Sequence, residues 1–262
     1  MTDNVVFYFS GTGNCLKTAK VIAGEIGNGD IISMANPVNY DPAKQYDTVG
    51  FIFPVYFWGL PKKVIEFIKN AEFKNKNAYF YCVATCGNET GNTNYQLSEL
   101  LKKNHGIKLN RGYKLKMFSN YIVMYNMKKN VEAITKKSDR DLVPIINSIK
   151  NRESKKIYPI TIILSFLNNW FLKRVSMMDR NFNVSSDCNG CGICADICPV
   201  GNIEILDSFP KYKHNCEQCV ACIQYCPRKA INYKNATQER RRYTNPDITC
   251  KELIERNKGV IG

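Results

Sequence analysis

The chain has 262 residues, 44% hydrophobic and 23% charged, with a formal net charge of +14 and 12 cysteines. That mixture excludes a disordered chain and leaves room for one large domain or two moderate ones. The start, MTDNVVFYFSGTGN, lacks the basic-then-apolar pattern of an export leader, so a cytoplasmic location is expected; there, so many thiols point to metal ligation or redox chemistry rather than disulfides.

Strands and helices alternate from the N-terminus. VVFYFS (5–10) predicts a buried strand, followed by a Gly turn and a helix over 15–27. DIISM (30–34) predicts a short strand, TVGFIFPVY (48–56) a strongly apolar one, and PKKVIEFIKN (61–70) a helix with Pro at its start. NAYFYCVATCG (77–87) reads as a fourth strand, NYQLSELLKKN (94–104) as a helix and GYKLKMFSNYIV (112–123) as a fifth strand. Apolar runs alternating with amphipathic helices predict a doubly wound α/β domain, its parallel sheet covered on both faces. Ligands of such a sheet sit at the carboxyl ends of the strands, near the switch point.

Residues 127–180 read as a basic helical connecting segment after an α/β domain over 1–126. Residues 127–179 carry eleven basic against five acidic side chains, the densest positive charge in the chain. The apolar run IYPITIILSFLNNWFLKRV (157–175), broken by Asn168 and Asn169, is too short to span a membrane, which takes about 20 residues. Burial against a neighbouring domain is favoured for it over contact with a membrane surface.

Residues 181–236 hold two cysteine ladders: Cys188, Cys191, Cys194 and Cys198 followed by Pro199, then Cys216, Cys219, Cys222 and Cys226 followed by Pro227. Each member of the second lies 28 residues after its counterpart, an internal duplication. The spacing C-x2-C-x2-C-x3-C-P is that of bacterial [4Fe–4S] sites, in which the fourth cysteine serves the other cluster. One cube is therefore expected on Cys188, Cys191, Cys194 and Cys226, and the other on Cys216, Cys219, Cys222 and Cys198. Structural zinc, which uses paired C-x2-C knuckles, does not fit triplets of this kind. This segment resembles a two-cluster bacterial ferredoxin, a small α+β domain, including PVGNI and PRKAI after the ladders.

Three loops at strand ends carry the second expectation. SGTGNC (Ser10, Gly11, Thr12, Gly13, Asn14, Cys15) offers a glycine turn and a helix N-terminus to a phosphate. It lacks the Gly-Lys-Ser/Thr of a Walker loop and the third glycine of a dinucleotide fingerprint, which favours a single phosphate. Pro54, Val55, Tyr56, Phe57, Trp58 and Gly59 follow the third strand and bring flat aromatic faces. Thr85, Cys86, Gly87 and Asn88 follow the fourth and can meet a ring's polar edge. A phosphate at one end and a flat heterocycle at the other describe FMN. With these loops, residues 3–125 resemble flavodoxin. The whole chain is similar to the flavodoxin–ferredoxin fusion proteins of anaerobic microbes, which pair SGTGN, PVYxWGLP and TCG loops with two ladders. The resemblance implies bound FMN and cytosolic electron transfer. Cys15 stands where the family's phosphate loop has a hydroxyl residue, and the domain is basic where flavodoxins are acidic.

Cys82 reads as core filler. His105 reads as a helix-end residue, His214 as solvated, and Cys250 as a bystander in the tail (237–262). Arg240–Arg242 with Tyr243 are expected to be solvated, and no nucleic-acid recognition element is evident. No residue is singled out as catalytic, because the proposed flavin loops bring few ionisable groups beyond Glu89 and tyrosines. The expected function is an electron carrier linking FMN, two clusters and an external redox protein, an acidic one suiting the basic surface. The alternative is an iron–sulfur flavoenzyme acting on a small substrate.

Overall fold

A computed structural model describes residues 3–27, 29–127 and 130–260. Five parallel strands, β1 (Asn4–Tyr8), β2 (Asp30–Ser33), β3 (Thr48–Pro54), β4 (Tyr79–Cys86) and β5 (Arg111–Lys116), form one sheet in the order β2-β1-β3-β4-β5. The central strands β1 and β4 are buried along their whole length, which is why they are continuous apolar runs rather than alternating ones. The order reverses between β1 and β3, so the loops after β1 and β3 splay apart at the sheet's carboxyl edge and leave a crevice.

Helices α2 (Lys62–Asn70) and α3 (Thr93–His105) cover one face, with Val64, Ile68, Leu97 and Leu101 packed on Phe7, Phe51 and Phe80. Helix α1 (Asn14–Glu25) covers the other, together with the basic helix α4 (Val131–Lys150), whose Leu142, Ile145, Ile146 and Ile149 sit in the same apolar cluster as Val6, Leu16 and Ile22. The basic helix therefore belongs to the wall of the α/β domain, with its lysines outward.

Helix α5 (Ile162–Leu172) is held by its polar side. Asn168 is buried and donates from Nδ2 to the Tyr56 carbonyl at 2.9 Å. Ser165 accepts from Asn92 Nδ2 at 2.7 Å, and Phe171 stacks on Phe57 with centroids 4.9 Å apart. Ile163, Phe166 and Trp170 face solvent. The expected burial of 157–175 holds only in part: Ile157, Phe171 and Val175 pack inward beside the asparagine contacts, while one apolar row faces out.

The cysteine-rich region holds β6 (Phe182–Val184) paired antiparallel with β9 (Ile231–Tyr233), the hairpin β7 (Ile203–Leu206)–β8 (Phe209–Tyr212), and two single-turn helices, α6 (Ile193–Asp196) and α7 (Ala221–Gln224). Their starts lie 28 residues apart, like the ladders. The duplication reaches the backbone: Gly190, Gly192 and Gly201 have φ of 69°, 79° and 58°, and their counterparts Gln218, Val220 and Lys229 have 53°, 56° and 51°. Glycine takes this left-handed region freely, whereas a β-branched valine is strained there.

The two modules share a core. Ile197, Ala221, Ile248 and Leu253 lie in one apolar cluster with Tyr8, Leu16 and Ile52. The tail returns across the α/β domain and ends in α8 (Cys250–Asn257), whose Asn257 meets Ser33 on β2.

Candidate flavin and iron–sulfur sites

A cavity of about 660 Å³ opens at the carboxyl edge of the sheet. Ser10, Gly11, Thr12, Asn14 and Cys15 line it from the first loop, Pro54 to Trp58 from the second, and Thr85 to Asn88 from the third. The volume lies within the 300–1,000 Å³ typical of small-molecule sites.

The first loop is shaped for an anion. Gly13 is left-handed with φ 94°, and its N–H donates to Ser10 Oγ at 3.1 Å. Helix α1 has no side-chain cap and no acidic residue in its first turn, so its N-terminal amides are left for a ligand. Cys15 is buried with Sγ 3.1 Å from Thr85 Oγ1, and burial pushes its thiol up to about 12. It is a neutral link between two of the loops.

The second loop is a tight turn. Tyr56 and Gly59 exchange backbone hydrogen bonds of 3.0 and 3.1 Å, and Phe57 and Trp58 between them are both left-handed, φ 47° and 57°. This is the geometry of a type I′ turn, which normally takes Asn-Gly. Two aromatic residues held there are strained, and such strain is retained where side chains must point at a site. Trp58 is partly exposed and meets Phe57 edge-on at 5.7 Å. Burial, with the Cys219 thiol next in weight, raises the Tyr56 hydroxyl well above its ordinary range, so it remains a proton donor.

Gly13 and Gly59 do not line the cavity. A Cβ on Gly13 would lie 3.0 Å from Asn245 and Ile248 of the tail, and one on Gly59 would overlap Asn168 of α5. Both glycines accommodate neighbouring chain, not ligand. Asn14 is also engaged from outside: its Oδ1 accepts from Tyr243 at 2.7 Å and from Asn245 at 2.9 Å.

The loop after β5 supplies Phe118 to Tyr121 and Met124 to Asn126 to the cavity, residues that sequence reasoning missed. Their signal was available, since β5 ends at the same edge as the strands that were read. The tail was also missed. Arg240 donates to the Ile122 and Val123 carbonyls at 2.7 and 2.9 Å, Arg242 to Ile231 and Asn232, and buried Tyr243 stacks on Phe118 at 4.5 Å. These are not solvated groups; the arginines close open carbonyls and the tail straps one module to the other.

Gln218, Cys219 and Val220 of the second ladder form the remaining wall. Gly11 packs so closely on this ladder that a Cβ there would stand 2.7 Å from the Cys219 carbonyl oxygen. The phosphate-type loop and the second ladder are therefore in direct contact.

The cysteines fall into two sets. Cys188, Cys191, Cys194 and Cys226 line one small cavity. Cys198, Cys216, Cys219 and Cys222 line another. Among the described residues, no three His, Cys, Asp or Glu side chains converge on a single ion. Each set numbers four thiols, the number that one four-iron cube takes. Backbone N–H groups already point at three sulfurs: Asn202 to Cys198 at 3.3 Å, Gln218 to Cys216 at 3.2 Å and Ala230 to Cys226 at 3.3 Å. Such bonds favour the thiolate. Burial acts the other way, raising Cys219 and Cys222 well above the ordinary thiol range, so only a bound cation would keep them ionised. The donor set fits iron–sulfur ligation. Exposure differs between the sets: Cys191 is exposed, whereas Cys216 and Cys222 are buried.

His214 is not merely solvated. Its Nδ1 lies 2.7 Å from Oδ1 of Asp179, which is fully buried.

Residues 5–118 match the family model of the flavodoxin domain, and residues 184–204 match that of the 4Fe–4S binding domain. None of the curated proteins matches the chain. Among solved structures, a flavoprotein from Lactobacillus acidophilus in complex with FMN is 12% identical over 44% of this chain and 93% of its own, with a TM-score of 0.34. A flavodoxin of Fusobacterium nucleatum bound to flavin mononucleotide is 12% identical over 59% of this chain and all of its own, with a TM-score of 0.36. A flavodoxin from the domain Archaea is 11% identical over 57% and 99%, with a TM-score of 0.33. The chain thus joins a flavodoxin domain to a 4Fe–4S binding domain. That pairing is consistent with a flavodoxin–ferredoxin fusion and supports an electron-transfer role.

Proposed function

We propose that this protein is a cytoplasmic electron carrier that binds FMN in the shared cavity and two [4Fe–4S] clusters on the two cysteine sets. The loop Ser10–Cys15 would hold the phosphate, and Tyr56, Phe57, Trp58 and Thr85–Asn88 the ring. Bound FMN exchanges one or two electrons and each cube exchanges one, so the set can couple two-electron donors to one-electron acceptors. The observation that carries the reading is the common wall: Gln218–Val220 line the cavity and Cys219 touches Gly11. Electron tunnelling falls steeply with distance, and a cluster ligand in contact with the phosphate-type loop keeps that distance short.

The difference in exposure orders the sites. The set containing Cys191 reaches the surface, whereas Cys216 and Cys222 of the other set are buried and its Cys219 lines the cavity. An external redox protein would meet the first set. Anaerobic purification tests the cofactor load: the reading expects about one FMN and eight iron per chain, two four-iron cubes. Zinc with little iron or sulfide would refute the clusters. Saturating, selective oxidation of the loaded protein by a small carbonyl, nitro or enoyl compound would favour a flavoenzyme instead.

A further inference from the structure

Helix α5 turns one apolar row outward, although Phe171 is buried. A helix on the surface of a globular domain turns its apolar stripe inward. Here Asn168 is 1% exposed and hydrogen-bonded to Tyr56 and Gln96, while Phe166 is 70% exposed and Ile163 68%. Ile163, Phe166 and Trp170 recur at the spacing of one helix face, and Tyr158 and Ile160 extend the row before the helix. No helix among the described residues is long and apolar enough to cross a membrane.

The charges flanking the row in sequence are mostly positive. Residues 152–180 carry Arg152, Lys155, Lys156, Lys173, Arg174 and Arg180 against Glu153 and Asp179. Asp179 is buried and committed to His214 and Asn202, so it offers nothing to the surface. Each end of the row pairs an aromatic ring with a cation: Lys156 lies 5.1 Å from the Tyr158 ring, and Arg174 lies 4.8 Å from the Trp170 ring. Aliphatic and phenyl groups lie between. Rings and cations at the ends with apolar groups at the centre suit a helix lying in a headgroup layer. A bilayer is fluid and closes around such a ridge.

We propose that α5 with residues 155–160 docks this protein on an anionic lipid surface, with Ile163 and Phe166 entering the acyl boundary and the flanking cations meeting lipid phosphates. Phe171, next to Trp170 on the helix, lines the cavity, so docking would bring the cavity close to the membrane.

The test is co-sedimentation of the full-length, cofactor-loaded protein with vesicles of phosphatidylglycerol and phosphatidylcholine in equal parts, and with phosphatidylcholine alone. Binding is expected to the first and not the second. Ile163→Ser with Phe166→Ser, which leaves the charge unchanged, should weaken binding about tenfold or more. Lys156→Gln and Arg174→Gln should each weaken it about fivefold. Iron content and circular dichroism equal to the parent protein's exclude misfolding. Absence of vesicle binding overturns the proposal. So does equal binding by the serine variant, which would leave only attraction by the net charge. A parent dimer that becomes monomeric in the serine variant, without vesicle binding by either, would assign the row to a second copy.

Discussion

Val220 and Gly192 occupy equivalent positions of the duplicated ladders, both left-handed, but only Val220 has a side chain there. The non-glycine left-handed backbone costs about 1–2 kcal/mol. Val220 is 3% exposed and lies between the second cysteine set and the redox cavity. Burying a valine returns about 1.5–3 kcal/mol. Val220→Gly therefore loses burial and recovers strain, for a net change of about 1 kcal/mol, or about 2–4 °C in melting midpoint for a domain of this size. Gly192→Val adds strain where a Cβ would meet nothing within 4 Å, so it should lose about 1–2 kcal/mol without recovery. The functional effects should differ. Val220→Gly removes part of the cavity wall and should weaken FMN binding about fivefold, whereas Gly192→Val should leave it unchanged. Flavin fluorescence titration and anaerobic thermal melting read both quantities. Unchanged FMN affinity in Val220→Gly would refute the reasoning that strain is retained here to build the wall.

Gly11→Ala should separate the modules, because its Cβ meets backbone and not a movable side chain; the effect would be read as increased proteolysis of the tail and slower flavin–cluster exchange. Trp58→Ala should weaken FMN binding by about 0.5–1.5 kcal/mol or more if the ring stacks, with the melting midpoint nearly unchanged because Trp58 is already partly exposed. Cys198→Ala should damage the cluster on Cys216, Cys219 and Cys222 more than the other; electron paramagnetic resonance of the reduced protein distinguishes the two, and selective loss of the Cys188 cluster would reverse the assignment. Tyr243→Ala removes the Phe118 stack and the hydrogen bond to Asn14, and should lower the melting midpoint through the strap.

The parallel sheet, the three loops and the ladders were legible because each is local: a run of apolar residues, a glycine turn after a strand, a fixed cysteine spacing. The contribution of Gln218 and Val220 to the cavity was not, since it depends on how two modules meet. Arg240, Arg242 and Tyr243 were misread for the same reason; a short arginine run near a terminus looks solvated until its carbonyl partners on distant loops are known. The orientation of α5 reversed the usual inference from hydrophobicity, because Asn168 found partners in Tyr56 and Gln96 while Phe166 found none. Gly13 and Gly59 were read as parts of the flavin loops, but what approaches them is the tail and α5.

The contact between the second ladder and the cavity is tested most directly by rapid mixing. The anaerobic, fully loaded protein is mixed with a one-electron donor that reaches the exposed cysteine set, and cluster and flavin absorbance are followed at several protein concentrations. Joined modules act at a fixed effective concentration. Flavin reduction should therefore follow cluster reduction at a rate independent of protein concentration. A rate that rises in proportion to protein concentration would mean that the two modules exchange electrons only between molecules, which contradicts a shared wall that serves as the path.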